Sequence, residues 1–267
     1  MVKDTLILKR APKRVNYEIP PMKVKILNIH IDQLDVPEAL SRFLKARIIF
    51  TPNIDHLFNL KNNTEFYEAY KKADLVLCDS KILSFYARIF LNKKLDQIAG
   101  ADFLPVLCEF YKDDANQKIF LLGGSTQEHA DLAVKNINNR TKRTIIVGGY
   151  SPPFGFEDDQ QEINRIVQLV KNSGANTMVV GVGSPKQELF IVNNADRFPS
   201  VAHFLGLGAT INYQSGLVPR APVRYKSTGF EWLFRFVQEP KRLFTRYFIH
   251  GPKIMVDLFR FIFKSVK

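Results

Sequence analysis

The chain has 267 residues, 46% of them hydrophobic, with 38 Lys or Arg against 26 Asp or Glu and a formal net charge of +12. That length and apolar content sustain a full buried core, which excludes a disordered chain. Two cysteines, Cys78 and Cys108, both in apolar surroundings, exclude a disulfide or zinc framework and point to a reducing compartment.

The excess charge is concentrated: residues 219–267 hold 11 Lys or Arg against 3 Asp or Glu. A basic segment of this kind needs an anionic partner. Its aromatic residues, from Tyr225 and Trp232 to Phe263, are too many for a disordered polybasic arm.

Residues 1–22 read as a basic extension whose apolar run is too short for a secretory signal. From residue 24 to 205, apolar runs alternate with amphipathic stretches. The expected strands are 24–29, 48–51, 75–78, 118–122, 144–147, 177–182 and 201–205, and the expected helices 37–46, 64–72, 82–91, 127–139, 158–172 and 187–196. Continuous apolar strands separated by helices predict a Rossmann-like α/β core, a mostly parallel sheet with helices on both faces. The core is expected over residues 23–215 and a helical basic appendage over 216–267.

The loops after the strands read TPNIDH, CDS, LLGGS, VGGYSPPFG and GVGSPKQE. Parallel topology puts all five on one edge, where they are expected to line one crevice. In the last of them, Ser184 is the expected N-cap, Pro185 suits a first helical turn, and Lys186 and Gln187 follow at the sheet edge. Gly123 and Gly124, ahead of a helix capped by Ser125 or Thr126, form a seat for phosphate through backbone N–H groups.

Asp79 follows an apolar strand, so a partly desolvated carboxylate there is a candidate proton acceptor; equally, it is a candidate N-cap for the next helix. Thr51 and Asn53 offer a hydroxyl and an amide to orient a sugar, or, for Asn53, to serve the turn after Pro52. No GxGxxG or Walker lysine pattern is complete, and the five histidines have no metal-ligand spacing.

Beyond residue 205, GLGATINYQSG reads as a short helix and turn and LVPRAP as a connector, followed by three helical segments. In the last, residues 252–267, Ile254, Leu258, Phe261 and Ile262 form one stripe beside Lys253, Arg260, Lys264 and Lys267. Such a helix fits either a lipid headgroup layer or a place packed on the body.

The blocks TPNIDH, ADLVLCDS, LLGGS, VGVGSPKQE, GLGATINYQSGLVPRAP and GFEWLFRFVQEPKRLFTRY, in this order, resemble the WecG/TagA/CpsF glycosyltransferase family over about residues 24–250. The resemblance implies an inverting transfer of an N-acetylmannosamine-type or related sugar from a UDP-sugar to a polyprenyl-diphosphate-linked saccharide. It implies cell-surface polysaccharide synthesis at the cytoplasmic face of the plasma membrane, with peripheral attachment to an anionic surface through an appendage that closes over the site. Asp79 falls on the family's base, Thr51, Asn53 and Gln187 on its substrate-orienting residues, and Arg235, Arg242 and Arg246 on its appendage arginines. Two positions depart: Ser80 stands for the usual glycine, and Gln97 replaces a cation that contacts phosphate or carboxylate.

No cofactor or metal is expected. The leaving diphosphate would be met by appendage arginines and by the backbone at Gly123 and Gly124. A single-stranded nucleic-acid-binding protein would share the basic aromatic tail, and an α/β oxidoreductase the sheet. The former would not need Asp79, Thr51 and Gln187 in one crevice, so no nucleic acid partner is expected, and the latter should show the glycine fingerprint, which is missing; a homo-oligomer is left open.

Overall fold

The computed structural model describes residues 22–221 and 231–265. The expected N-terminal extension therefore lies outside the described residues, apart from Met22. Strands β1 (Lys23–Ile26) and β2 (Ile29–Asp32) form an antiparallel hairpin of their own. Strands β3 (Ile48–Phe50), β4 (Leu75–Val76), β5 (Ile119–Gly123), β6 (Ile146–Tyr150), β7 (Thr177–Gly181) and β8 (His203–Gly206) build one parallel sheet in the order β4-β3-β8-β7-β5-β6.

Alternate strand residues feed two cores. Phe50, Val76, Phe120, Val180 and Phe204 pack on one face, and Ile49, Leu75, Leu121, Val179 and Leu205 on the other. Helices α1 (Val36–Phe43), α2 (Ile54–Asn62), α3 (Thr64–Lys71), α4 (Lys81–Phe90), α5 (Gly100–Phe110), α6 (Gln127–Thr141), α7 (Gln160–Ser173), α8 (Lys186–Asn194) and α9 (Thr210–Ser215) connect the strands and cover the sheet. Side-chain caps fix where several of them begin: Asp35 for α1, Asn53 for α2, Thr126 for α6 and Asp159 for α7. Cys78 and Cys108 are free and buried, and burial pushes both thiols up to about 12.

The α/β architecture with a parallel sheet and a C-terminal helical segment is as expected. The strand expected at 24–29 is not part of that sheet. Its chain reverses at Leu27, which takes φ 54°, and residues 29–32 pair back on 23–26. The hairpin meets the sheet edge through Asp32, whose carboxylate Oδ2 accepts the Val76 N–H at 2.7 Å. Asp32 is 2% exposed, and burial raises its pKa against the opposing pull of that hydrogen bond and of Lys23, 3.5 Å away.

A carboxyl whose pKa is higher folded than unfolded contributes stability that is complete below the unfolded value of 3.8 and is lost as pH rises through the folded one. Asp32→Asn keeps an acceptor for Val76 and removes that titration. The melting temperature of Asp32→Asn relative to wild type is therefore expected to increase between pH 4 and pH 7.

Helices α10 (Glu231–Gln238) and α11 (Pro240–Phe244), a π-helical turn (Thr245–His250) and α12 (Gly251–Ser265) form the C-terminal segment. It packs on the body through Leu243, Ile254 and Leu258, all buried. Polar contacts add to that seat: Tyr86 donates its hydroxyl to Leu258 O at 2.9 Å, and Lys61 pairs with Asp257 at 2.6 Å. His250 Nδ1 lies 2.8 Å from Asp55 Oδ1, its ring stacked 3.7 Å from that of Phe58. The stripe of Ile254, Leu258, Phe261 and Ile262 thus faces the core, which settles its two readings in favour of packing on the body. Among the described residues no helix is long and apolar enough to cross a membrane.

Candidate active site

The glycines that end β7 permit a close approach of backbones. A Cβ on Gly181 would stand 2.7 Å from Gly208 O, and one on Gly123 would stand 2.5 Å from Gly181 O. Side chains at either place would force apart β5, β7 and the loop after β8. What emerges at the carboxyl edge is a recess bounded by the ends of β3, β4, β7 and β8.

Two cavities meet there. The inner one, about 220 Å³, is lined by polar groups including Thr51, Asn53, His56, Asp79, Gln187 and Arg246. The outer one, about 400 Å³, runs under the C-terminal helices between Ile82 and Gln97 on the core and Tyr247, Phe248 and Met255 above. Asn53, Asp79, Ala99 and Arg246 border both.

Asp79 is half-buried, and its backbone N–H donates to Pro52 O at 3.0 Å, which ties the ends of β3 and β4 together. Of its two sequence readings, the capping role belongs to the next residue. Ser80 Oγ accepts the Leu83 N–H at 3.3 Å and starts α4. Thr51 is buried and donates its hydroxyl to Gly206 O at 3.0 Å, a bridge from β3 to β8. Asn53 caps α2 by accepting from the Asp55 and His56 N–H groups, an arrangement that leaves its amide nitrogen uncommitted to the cap. Gln97 is half-buried on the outer cavity wall, where the chain is held by the Ile98 N–H donating to Cys78 O at 2.7 Å.

Beneath the inner cavity lies a polar network that sequence reading did not find. The Asn53 N–H donates to His56 Nδ1 at 3.0 Å, so that nitrogen is unprotonated and Nε2 carries the ring proton. Nε2 points to Glu188 Oε1 at 3.2 Å. Gln187 Nε2 donates to the same oxygen at 2.7 Å, while Gln187 Oε1 accepts the Gly208 N–H at 3.0 Å. Glu188 is 0% exposed, and among the described residues its Oε2 has no hydrogen-bond partner, as is true of the Tyr70 hydroxyl. Burial, then the charges of Glu188 and Asp79, push the Tyr70 phenol well above its ordinary value. The signal in the sequence was that the Glu of PKQE and the His of TPNIDH each stand immediately before an apolar stretch, Leu189–Val192 and Leu57–Phe58.

Several expected site residues sit elsewhere. Ser184 does not cap α8: its Oγ is buried without a partner among the described residues, and the cap position belongs to Pro185. Gln187 borders the inner cavity but is 1% exposed, its amide spent on Glu188 and Gly208. Lys186 turns away, pairs with Glu157 and lies 4.1 Å from the centroid of the Phe154 ring. Gly123 and Gly124 border neither cavity; Gly123 serves the backbone approach described above. The expected phosphate seat beyond them is partly filled, since the Ser125 N–H donates to Asn212 Oδ1 at 2.8 Å. Of the five expected loops, TPNIDH, CDS and GVGSPKQE line the recess and LLGGS and VGGYSPPFG do not; the loop after β8 joins them.

Arg246 reaches both cavities, and it is the only Lys or Arg among the described residues of the inner one. Arg235 and Arg242 stand on α10 and α11, with side chains outside the described residues. Two further sequence blocks meet in space: Arg220 of LVPRAP pairs with Asp102 of the Gly-Ala-Asp turn at 2.5 Å.

An open parallel sheet that carries a carboxylate at a strand end, between a polar recess and a more apolar one, is the architecture of an α/β protein that binds its ligands at the carboxyl edge of the sheet. Residues 24–267 match the Glycosyl transferase WecG/TagA/CpsF family, nearly the whole chain. The protein belongs to that family, whose work is cell-surface polysaccharide synthesis.

Proposed function

We propose that the protein is an inverting glycosyltransferase that moves a sugar of the N-acetylmannosamine type from a UDP-sugar to a polyprenyl-diphosphate-linked saccharide. The observation that carries this reading is the position of Asp79 on the shared wall of the two cavities. The polar inner cavity suits the nucleotide sugar, and the outer cavity, roofed by Tyr247, Phe248 and Met255, suits a lipid-linked acceptor.

In the proposed reaction the acceptor hydroxyl gives its proton to Asp79 as its oxygen forms a bond to the anomeric carbon. The bond from that carbon to the diphosphate oxygen breaks, and UDP departs with the electron pair. Attack opposite the leaving group inverts the anomeric centre. Arg246 meets the charge that gathers on the diphosphate, and the seated C-terminal helices keep water from the donor.

The test is to incubate the full chain with a panel of UDP-sugars and a short-chain prenyl-diphosphate sugar acceptor, and to measure UDP release and glycan product. Transfer from one of these donors, dependent on the acceptor, is expected; donor hydrolysis alone, or no turnover with any of them, would overturn the reading. Arg246→Ala is expected to lower kcat by about 10² to 10³ without shifting the melting temperature, and Arg246→Lys to recover part of the loss. An unchanged kcat in Arg246→Ala would remove the diphosphate role.

A further inference from the structure

The inner cavity poses an electrostatic problem. Its lining includes two carboxylates, Asp55 and Asp79, against one guanidinium, that of Arg246, among the described residues. A diphosphate brought there meets repulsion unless one of the carboxylates is engaged elsewhere. Asp79 stands on the wall shared by both cavities, whereas Asp55, in the first turn of α2, borders the inner one alone.

His250 engages Asp55 from the C-terminal segment. Its Nδ1 lies 2.8 Å from Asp55 Oδ1, and because a carboxylate only accepts, the ring nitrogen is the donor. The two side chains are 23% and 22% exposed, so solvent screens the contact only in part. The imidazole also lies 8° from parallel to the Phe58 ring, which fixes the direction of its N–H. No Lys or Arg pairs with Asp55 among the described residues. Of the cations on the packed elements, Lys61 of α2 is taken by Asp257, and Lys253 of α12 stands 5.8 Å from the centroid of the Phe58 ring.

The same contact reaches Arg246. Arg246 and His250 belong to one π-helical turn, which is closed by the Gly251 N–H donating to Arg246 O. Holding His250 on α2 therefore fixes the backbone from which the Arg246 side chain enters the inner cavity.

We propose that His250 adapts the inner cavity to a diphosphate. It binds the Asp55 carboxylate, which would otherwise repel the phosphates, and it anchors the turn that aims Arg246 at them. His250 borders neither cavity, so it is a positioning residue. The inference deepens the functional reading and rests on its nucleotide-sugar donor.

The experiment is titration calorimetry of the full chain with UDP, together with donor KM and kcat in the transfer assay. His250→Phe keeps a ring to stack on Phe58 and loses the N–H. It is expected to weaken UDP binding and raise the donor KM by about tenfold, the scale of one unengaged charge in a partly buried site, with kcat little changed. Adding Asp55→Asn removes that charge and should return both values to within about threefold of wild type. His250→Asn, whose amide nitrogen can take the place of Nδ1, should lose no more than about threefold. His250→Ala gives up the stack as well, so its kcat should also fall by about tenfold, and that fall should vanish in an Arg246→Ala background. Should His250→Phe fail to fold, His250→Leu replaces it with the same expectation.

Wild-type UDP affinity in His250→Phe would overturn the proposal. So would a loss that Asp55→Asn does not restore, since His250 would then serve only to seat the segment. UDP binding that follows the expected pattern in a chain that transfers sugar to no prenyl-diphosphate acceptor would sink the functional reading and leave this one standing.

Discussion

Asp79→Ala is expected to lower kcat by about 10² to 10⁴ with the melting temperature unchanged. The size follows from the proposed role: without a positioned acceptor, the attacking hydroxyl must lose its proton to water. The intact fold follows from the local structure, because Asp79 is joined to its neighbour strand by its backbone N–H, and Ser80 supplies the cap of α4. Asp79→Asn is the sharper variant. It keeps the volume and one acceptor oxygen but cannot take a proton, so its kcat should fall nearly as far as that of the alanine variant. A kcat in Asp79→Asn within about twofold of wild type would withdraw the base role, whatever the alanine variant did.

The sheet was legible because its strands are short and mostly apolar, with Thr177 and His203 the polar residues at the starts of β7 and β8, a pattern expected of strands covered on both faces. The hairpin was not, since KVKILNIHID turns at Leu27 and Asn28 without a glycine or proline to mark it, and so reads as continuous. Helix α2 was hidden in a similar way: TPNIDH looks like a loop of ligand-binding residues, whereas Asn53 is at once a wall of the site and the cap of a helix.

The site itself divides along the same line. Asp79, Thr51 and Asn53 could be placed because parallel strands deliver their ends to one edge, a rule that needs no side-chain geometry. Lys186 could not, because one residue of rotation around the first turn of α8 separates a side chain that borders the recess from one that pairs with Glu157. The outer cavity was legible only as an appendage that closes over the core. Its walls come from residues 53–99 and 246–255, whose meeting depends on how α12 seats against α2 and α4.

Glu188→Ala is expected to cost about 2 to 6 kcal/mol of stability, the largest loss from any single side chain of the site. Its Oε1 is the common acceptor for His56 Nε2 and Gln187 Nε2, and both donors are buried. Alanine deprives the two buried N–H groups of their shared acceptor, and each such group costs about 1 to 3 kcal/mol. The consequence should extend to function. His56 holds the Asn53 backbone and Gln187 holds that of Gly208, so loosening the pair frees two walls of the inner cavity at once. A raised KM for the donor, beyond the fall in kcat, is the expected kinetic form.

Glu188→Gln retains one acceptor oxygen and should lose less than half as much stability. The decisive measurement is a double-mutant cycle by urea denaturation. Removing His56 first deletes one of the two stranded donors, so Glu188→Ala should cost less in a His56→Ala background than in wild type, with a coupling of about 1 to 3 kcal/mol. The two residues stand 132 apart in sequence, and additive losses would mean that the bond between them carries no energy and that the inner cavity is held open by backbone packing alone.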